Sequence, residues 1–397
     1  MKDFTPTRTA ALERLSAFLP KAGRDYAAKR NYDVPSHPHV SALSPYIRHR
    51  ALTEPEVLEA TLARFAPSTA EKFIQEVYWR TYWKGWLELR PEVWDRYLGG
   101  LQDALDQVDR DRKLRRDYEA AISGETGIDC ADYWANQLTD TGYLHNHARM
   151  WFASIWVFTL RLPWELGADF FLRHLLDGDP ASNTLGWRWV AGLQTRGKTY
   201  LARPDNIARY TEGRFRPQGL AGEAPTLTDA PFAPPGAVPH STPIDSTRNT
   251  AFLLHKEDLS PTALMQRDYA ATAVLRPFER PGPLDPSPRQ SAFRGSLTDD
   301  AAARYGMADA PRLFASDVAA WAERSGIEQI VTPYAPVGPV ATELHAIEAA
   351  CTARDIRLTR QLRPYDAECW PHATKGFFKF KEKIPQFLKR HQTSRAA

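Results

Sequence analysis

Apolar residues recur three or four positions apart through most of the first 216 residues, most clearly over 55–65, 69–89, 131–139, 144–160 and 166–176. That period predicts a run of helices. Thr53, followed by Glu54, Pro55 and Glu56, adds an N-cap with proline and acids in the first turn. The stretch 100–119 is dense in charges of both signs and reads as the solvated face of a helix. Strand-like alternation is scarce here. An all-helical domain over 1–216 is the expectation.

From 217 to 250 the pattern lapses. Pro217, Pro225, Pro231, Pro234, Pro235, Pro239 and Pro243 stand among Gly, Ala, Ser and Thr, which predicts an extended linker. After it, short buried strands are expected at 251–255, 271–275, 327–332 and 356–362, with helices at 313–324 and 341–353. Strand, helix, strand at this spacing predicts a small parallel α/β, Rossmann-like domain over 251–397. Neither GxGxxG nor GxxxxGK[ST] accompanies it, so no dinucleotide or P-loop site is expected there. The fold class is therefore multi-domain, α followed by α/β.

A chain of 397 residues suits two domains. Its 12 Trp, 15 Tyr and 18 Phe fit large packed cores or a special role in stacking or electron transfer. A net charge of +3 announces no nucleic-acid partner, so any such binding must come from a local patch. Cys130, Cys351 and Cys369 are too scattered for a disulfide framework or a zinc site. The start MKDFTPTRTA lacks the apolar core of a secretory signal, and the longest apolar run, 151–160, is about half a membrane span. A cytoplasmic protein with no membrane partner is expected.

The chemistry-bearing stretch is TGYLHNHARM (141–150) followed by LLDGDPASNTLGWRW (175–189). The residues alone say that acids, amides and aromatics gather in a glycine-punctuated turn after a helix. Asp177 and Asp179 could ligate a metal, work as acid and base, or accept hydrogen bonds from a planar ligand. No third oxygen ligand supports the metal.

These strings resemble the DNA photolyase and cryptochrome family, whose members read TGWMHNRxRM and then DGDxAxNxGGWQW. SALSPYIRHRALT (41–53) resembles the family's phosphate loop, and FIQEVYWRTYW (73–83) its glutamate–tryptophan–arginine helix. The resemblance spans about residues 20 to 200 and implies bound FAD. Tyr26, Ser41, Leu43 and Ser44 would hold the phosphates, with Arg80 adding charge. Arg149 and Asp177 would pair over the flavin, Asp179 would accept a ring N–H, and Asn183 would face N5. Glu76, Trp79, Asn146, Met150 and Trp189 would line a cavity for a flipped pyrimidine dimer, Asn146 also bordering the cofactor. Trp187 and Trp164 would begin an electron relay to the flavin. The implied activity is blue-light-driven repair of UV-damaged DNA by a lyase. The alternatives are a cryptochrome-like photoreceptor without repair and a scaffold without flavin.

The chain also departs from the family pattern. The relay's surface position falls near Asp111, within a stretch that has no aromatic residue; Tyr118 or a tryptophan elsewhere would have to replace it, and the sequence does not say which. His147, Ala42 and Tyr143 replace an arginine, an arginine and a tryptophan. The family's loop after Trp189 is absent. In its place stands 188–216, where Arg188, Arg196, Lys198, Arg203, Arg209, Arg214 and Arg216 oppose Asp205 and Glu212, an expected basic rim. A second basic run covers 375–390. The α/β unit follows the helical one, as in a circularly permuted relative with a displaced antenna-type domain. No antenna chromophore can be assigned.

Overall fold

The computed structural model describes residues 4–277 and 282–393, with side chains to 390. Helix Glu54–Leu62 begins at the predicted cap, a full capping box between Thr53 and Glu56. Helix Glu71–Glu88 is the axis of the helical part and buries Phe73, Ile74, Val77, Tyr78 and Trp86 along its length. The charged stretch is two helices, Glu92–Arg110 and Arg112–Ser123. They are divided at Asp111, whose carboxylate accepts from the Lys113 and Leu114 amides. Helix Asn146–Ser154 widens into a π-turn at Ile155–Thr159, and helices Trp164–His174 and Pro180–Val190 pack beside it.

Between Tyr210 and Thr250 there is neither helix nor strand. The segment is nonetheless anchored: Asp229 pairs with Arg188 at 2.6 Å, and Phe232 meets Trp86 edge-on at 5.0 Å. It runs as a strap over the helices.

The sheet is parallel throughout, in the order β3-β2-β1-β4-β5. Its strands are β1 (Thr250–Leu254), β2 (Ala271–Leu275), β3 (Arg312–Leu313), β4 (Gln329–Pro333) and β5 (Arg357–Gln361). Two differences from the sequence expectation stand out. The crossover helix Pro288–Arg304 was not foreseen, because its inner face buries Gln290, Arg294 and Thr298 among the apolar residues and so masks the period. The helix expected over 313–324 starts at Ala315, its first residues being spent on the edge strand β3.

One face of the sheet shares a continuous core with the helical part, in which Phe252, Leu254, Val331 and Trp370 join Trp86 and Leu185. The other face forms a smaller core with helices Ala315–Arg324 and Pro339–Thr352. Contact across the shared core is close. A Cβ on Gly85 would stand 2.7 Å from the Trp370 ring, so only glycine fits there.

Buried charges also cross between the parts. Arg48 forms a fork on Glu257, with its second bond at 2.8 Å, and Arg50 meets Asp366 at 2.6 Å. No helix among the described residues is long and apolar enough to cross a membrane.

Candidate functional site

The site forms where helix Glu71–Glu88, the start of Asn146–Ser154 and the turn before Pro180–Val190 meet. Arg149 donates to the Asp177 carboxylate at 3.0 Å and, through Nε, to the Leu144 carbonyl at 3.0 Å. Burial pushes the Asp177 carboxyl up, but Arg149 and Arg80 together hold it below its ordinary value, with Ser44 facing it. Asp177 Oδ1 and Arg80 Nη1 are buried here without a hydrogen-bond partner among the described residues, as is Asp179 Oδ2, which Lys84 faces at 3.0 Å. Buried polar groups are normally satisfied, so a pair left open marks a place for something else.

Asp179 is committed differently. It caps helix Pro180–Val190 through the Ser182 amide at 2.8 Å, and pairs with Lys84 at 3.0 Å and Arg48 at 3.5 Å. These cations overcome the burial penalty and hold its carboxyl well below the ordinary carboxylate range. Lys84 stands one helical turn after Arg80, a spacing visible in the sequence, though nothing local there marks Lys84 as a partner of Asp179. Asn183 gives one amide hydrogen to the Ala168 carbonyl at 2.8 Å. Tyr26 is buried edge-on to Phe18 and Phe73, and burial raises its phenol well above the usual range. Ser41, Leu43 and Ser44 form a tight loop in which Leu43 is buried and Ala42 is left-handed at φ 49°.

The expected dimer-pocket residues are partly engaged with the chain itself. Glu76 forms an ion pair with Arg30, a residue far away in sequence. Trp79 is stacked face to face by Phe377, centroids 3.6 Å apart and planes at 12°. Trp189 stacks on Tyr200 at 5.6 Å. Asn146 is exposed and Met150, four residues on, is half-buried beside it.

The aromatic path from Trp187 also differs from expectation. Its ring meets Trp156 edge-on at 6.1 Å, and Trp156 meets Tyr118 edge-on at 6.1 Å. Trp164 contacts Tyr97 at 5.7 Å instead, with the Arg188 guanidinium 5.8 Å from its ring. Trp156 lies in the apolar run 151–160, where one more aromatic gives no signal. The expected basic rim needs a correction as well. Arg188 is buried on Asp229, and Arg214 reaches back to Asp33 at 3.0 Å, so two of its seven cations serve internal pairs.

Trp164 and Arg188 line an open cleft of about 830 Å³ beneath the strap. A second, of about 380 Å³, lies between β2 and helix Pro288–Arg304. Neither is lined by Arg149, Asp177 or Asn183. Among the described residues no group of three His, Cys, Asp or Glu side chains could hold a metal ion.

A family model described as the FAD binding domain of DNA photolyase matches residues 73–215. Among curated proteins, the chain is 34% identical over 193 residues to the deoxyribodipyrimidine photo-lyase of Alkalihalophilus pseudofirmus, covering 48% of this chain and 39% of that one. It is 34% identical over 196 residues to that of Thermus thermophilus, covering 49% and 45%. The match thus spans less than half the length of these relatives. Among solved structures, a class III photolyase from Agrobacterium tumefaciens is similar at 28% identity and TM-score 0.43, over 52% of this chain and 45% of that one. A Synechocystis cryptochrome is similar at 24% identity and the same TM-score, covering 52% and 44%.

Proposed function

We propose, from the match of residues 73–215 to the FAD binding domain of DNA photolyase, that this chain is a flavoprotein repairing pyrimidine dimers in DNA under blue light. When bound, FAD in its reduced, excited form supplies one electron that splits the dimer and is then returned. The observation that carries the reading is the open pair of Asp177 Oδ1 and Arg80 Nη1, beside the Arg149–Asp177 bridge.

The roles of the residues follow from their surroundings. Arg149 and Arg80 supply fixed positive charge, and Asp177 holds Arg149 in place while keeping one oxygen for a ligand donor. Asn183, anchored on Ala168, would have the remainder of its amide free to hold the flavin. Asp179, spent on Lys84, Arg48 and the helix cap, is a support for that wall. Tyr26, Ser41, Leu43 and Ser44 form the phosphate end. Glu76 and Trp79 follow one another on the same face of helix Glu71–Glu88 as Arg80, so a lesion entering there lies close to the cofactor. Such a lesion would displace Arg30 from Glu76.

A photoreceptor without repair is the second reading. It is favoured by the Phe377 ring lying over Trp79, which covers the surface a base would stack on. The test uses the full chain with its flavin chemically reduced, and a single-stranded oligonucleotide containing one dimer. Repair in light and none in darkness is expected. Flavin-loaded protein that binds and repairs no dimer selects the photoreceptor, and a chain that retains no flavin overturns both readings.

A further inference from the structure

The segment after Trp370 alternates in burial with helical period. Phe377, Phe380 and Phe387 are buried against Tyr78, Trp79 and Tyr82, while Lys375, Phe378, Lys379, Lys383, Lys389 and Arg390 are exposed along the same short segment, a stripe in the sequence. Between 375 and 390 six cations stand against a single acid, Glu382. Lys379, Lys381 and Arg390 have carboxylates in reach, on Glu382, Glu71 and Glu368. Lys375 and Lys383 have no ion-pair partner among the described residues. Phe378 is 79% exposed, more than any other large apolar side chain described.

The stripe is held firmly despite its exposure. The Trp79–Phe377 stack fixes its base, Tyr82 donates to the Lys375 carbonyl at 2.9 Å, and Arg90 donates to the Thr374 carbonyl at 2.8 Å. An exposed ring flanked by cations, on an ordered support, is the chemistry of single-strand binding: bases stack on the ring and phosphates meet the lysines. A membrane-surface helix would instead present a broad apolar face, and here the apolar face is buried.

We propose that this stripe is a docking surface for single-stranded DNA, with Phe378 as stacking platform and Lys375 and Lys383 as phosphate contacts. The choice of partner rests on the DNA reading above, but the contact is independent of flavin and of any lesion. It assigns Trp79 a second duty, as the foundation of the platform.

The test is fluorescence anisotropy of an undamaged labelled single strand with the full chain over a series of salt concentrations, alongside a dimer-containing strand and anionic phospholipid vesicles. Phe378→Ala is expected to weaken binding about tenfold, the scale of one lost base stack. Lys375→Ala with Lys383→Ala is expected to lower the log–log salt slope by about 1.4, for two phosphate contacts on a single strand. Flavin content and thermal unfolding, read on the same samples, should match wild type, because all three side chains are exposed. Wild-type binding that the variants leave unchanged overturns the surface and spares the DNA reading. So does binding of the dimer-containing strand alone. Binding to neither strand overturns both, and binding to vesicles but not to oligonucleotides overturns the surface in favour of a membrane contact.

Discussion

Two clusters of buried charge lie within the same fold, and they are finished to different degrees. Around Arg48, the guanidinium forks onto Glu257, reaches the Gly178 carbonyl at 3.0 Å, and shares Asp179 with Lys84. Around Arg149, the guanidinium is a quarter exposed, and one oxygen of its partner has no hydrogen-bond partner among the described residues, although Ser44 faces the carboxyl. Both clusters hold arginines on carboxylates, so charge alone does not separate structure from site. Completeness does. The Arg48 cluster fastens the sheet to the helices, whereas the Arg149 cluster keeps a buried carboxylate oxygen without a hydrogen-bond partner among the described residues, as the proposed cofactor role requires.

The largest effect that sharpens this contrast comes from breaking the closed cluster. Arg48→Ala strands Glu257 without its fork and should cost about 3–5 kcal/mol in denaturant unfolding. Arg48→Met combined with Glu257→Leu should recover much of that loss, because no buried charge of the pair is then left alone. A single variant as stable as wild type would show that the fork does not fasten the two parts.

Next in size is a pH effect at another buried contact between the parts. Glu88 accepts from Tyr334 at 2.7 Å and from the Val337 amide, and burial pushes its carboxyl up to about 7. The folded state therefore holds a proton that the unfolded chain, near 4.5, has already released. The stability from this group is full below the unfolded value and is lost as pH rises through 7, by about 3 kcal/mol at most. Glu88→Gln should remove that part of the slope, as followed by urea unfolding at several pH values. An unchanged slope would place the titration elsewhere.

The smallest effect on stability belongs to the open site. Asp177→Ala leaves Arg149 near water, so unfolding should shift by only about 1–2 kcal/mol. Flavin retention after gel filtration should fall about tenfold or more. Equal flavin retention in wild type and Asp177→Ala would end the assignment of this pair to the cofactor.

Legibility in the sequence followed the range of the interactions. Helix Glu54–Leu62 was readable because Thr53 and Glu56 sit three residues apart, β1, β2 and β4 because each is a short, mostly apolar run between turns, and β5 because Ile356 and Leu358 alternate with polar neighbours. Arg149 with Asp177 was reachable only through the resemblance, since 28 residues separate them. The Arg30–Glu76 pair and the Phe377 stack join segments 46 and 298 residues apart and leave no local trace. Helix Pro288–Arg304 was lost because its buried polar residues hide its inner face.

The amino-acid sequence by itself determined the order of the parts, helices first, then a proline-rich strap, then parallel strands, because period and turn chemistry act within a few residues. It also carried the motifs that relate the chain to photolyase flavin domains. Only the tertiary structure decided which charged groups are closed and which are open, that Trp156 rather than Trp164 touches Trp187, and that Trp79 is covered. Those outcomes depend on which distant side chains share a buried space, where an unpaired group is costly and a paired one is not.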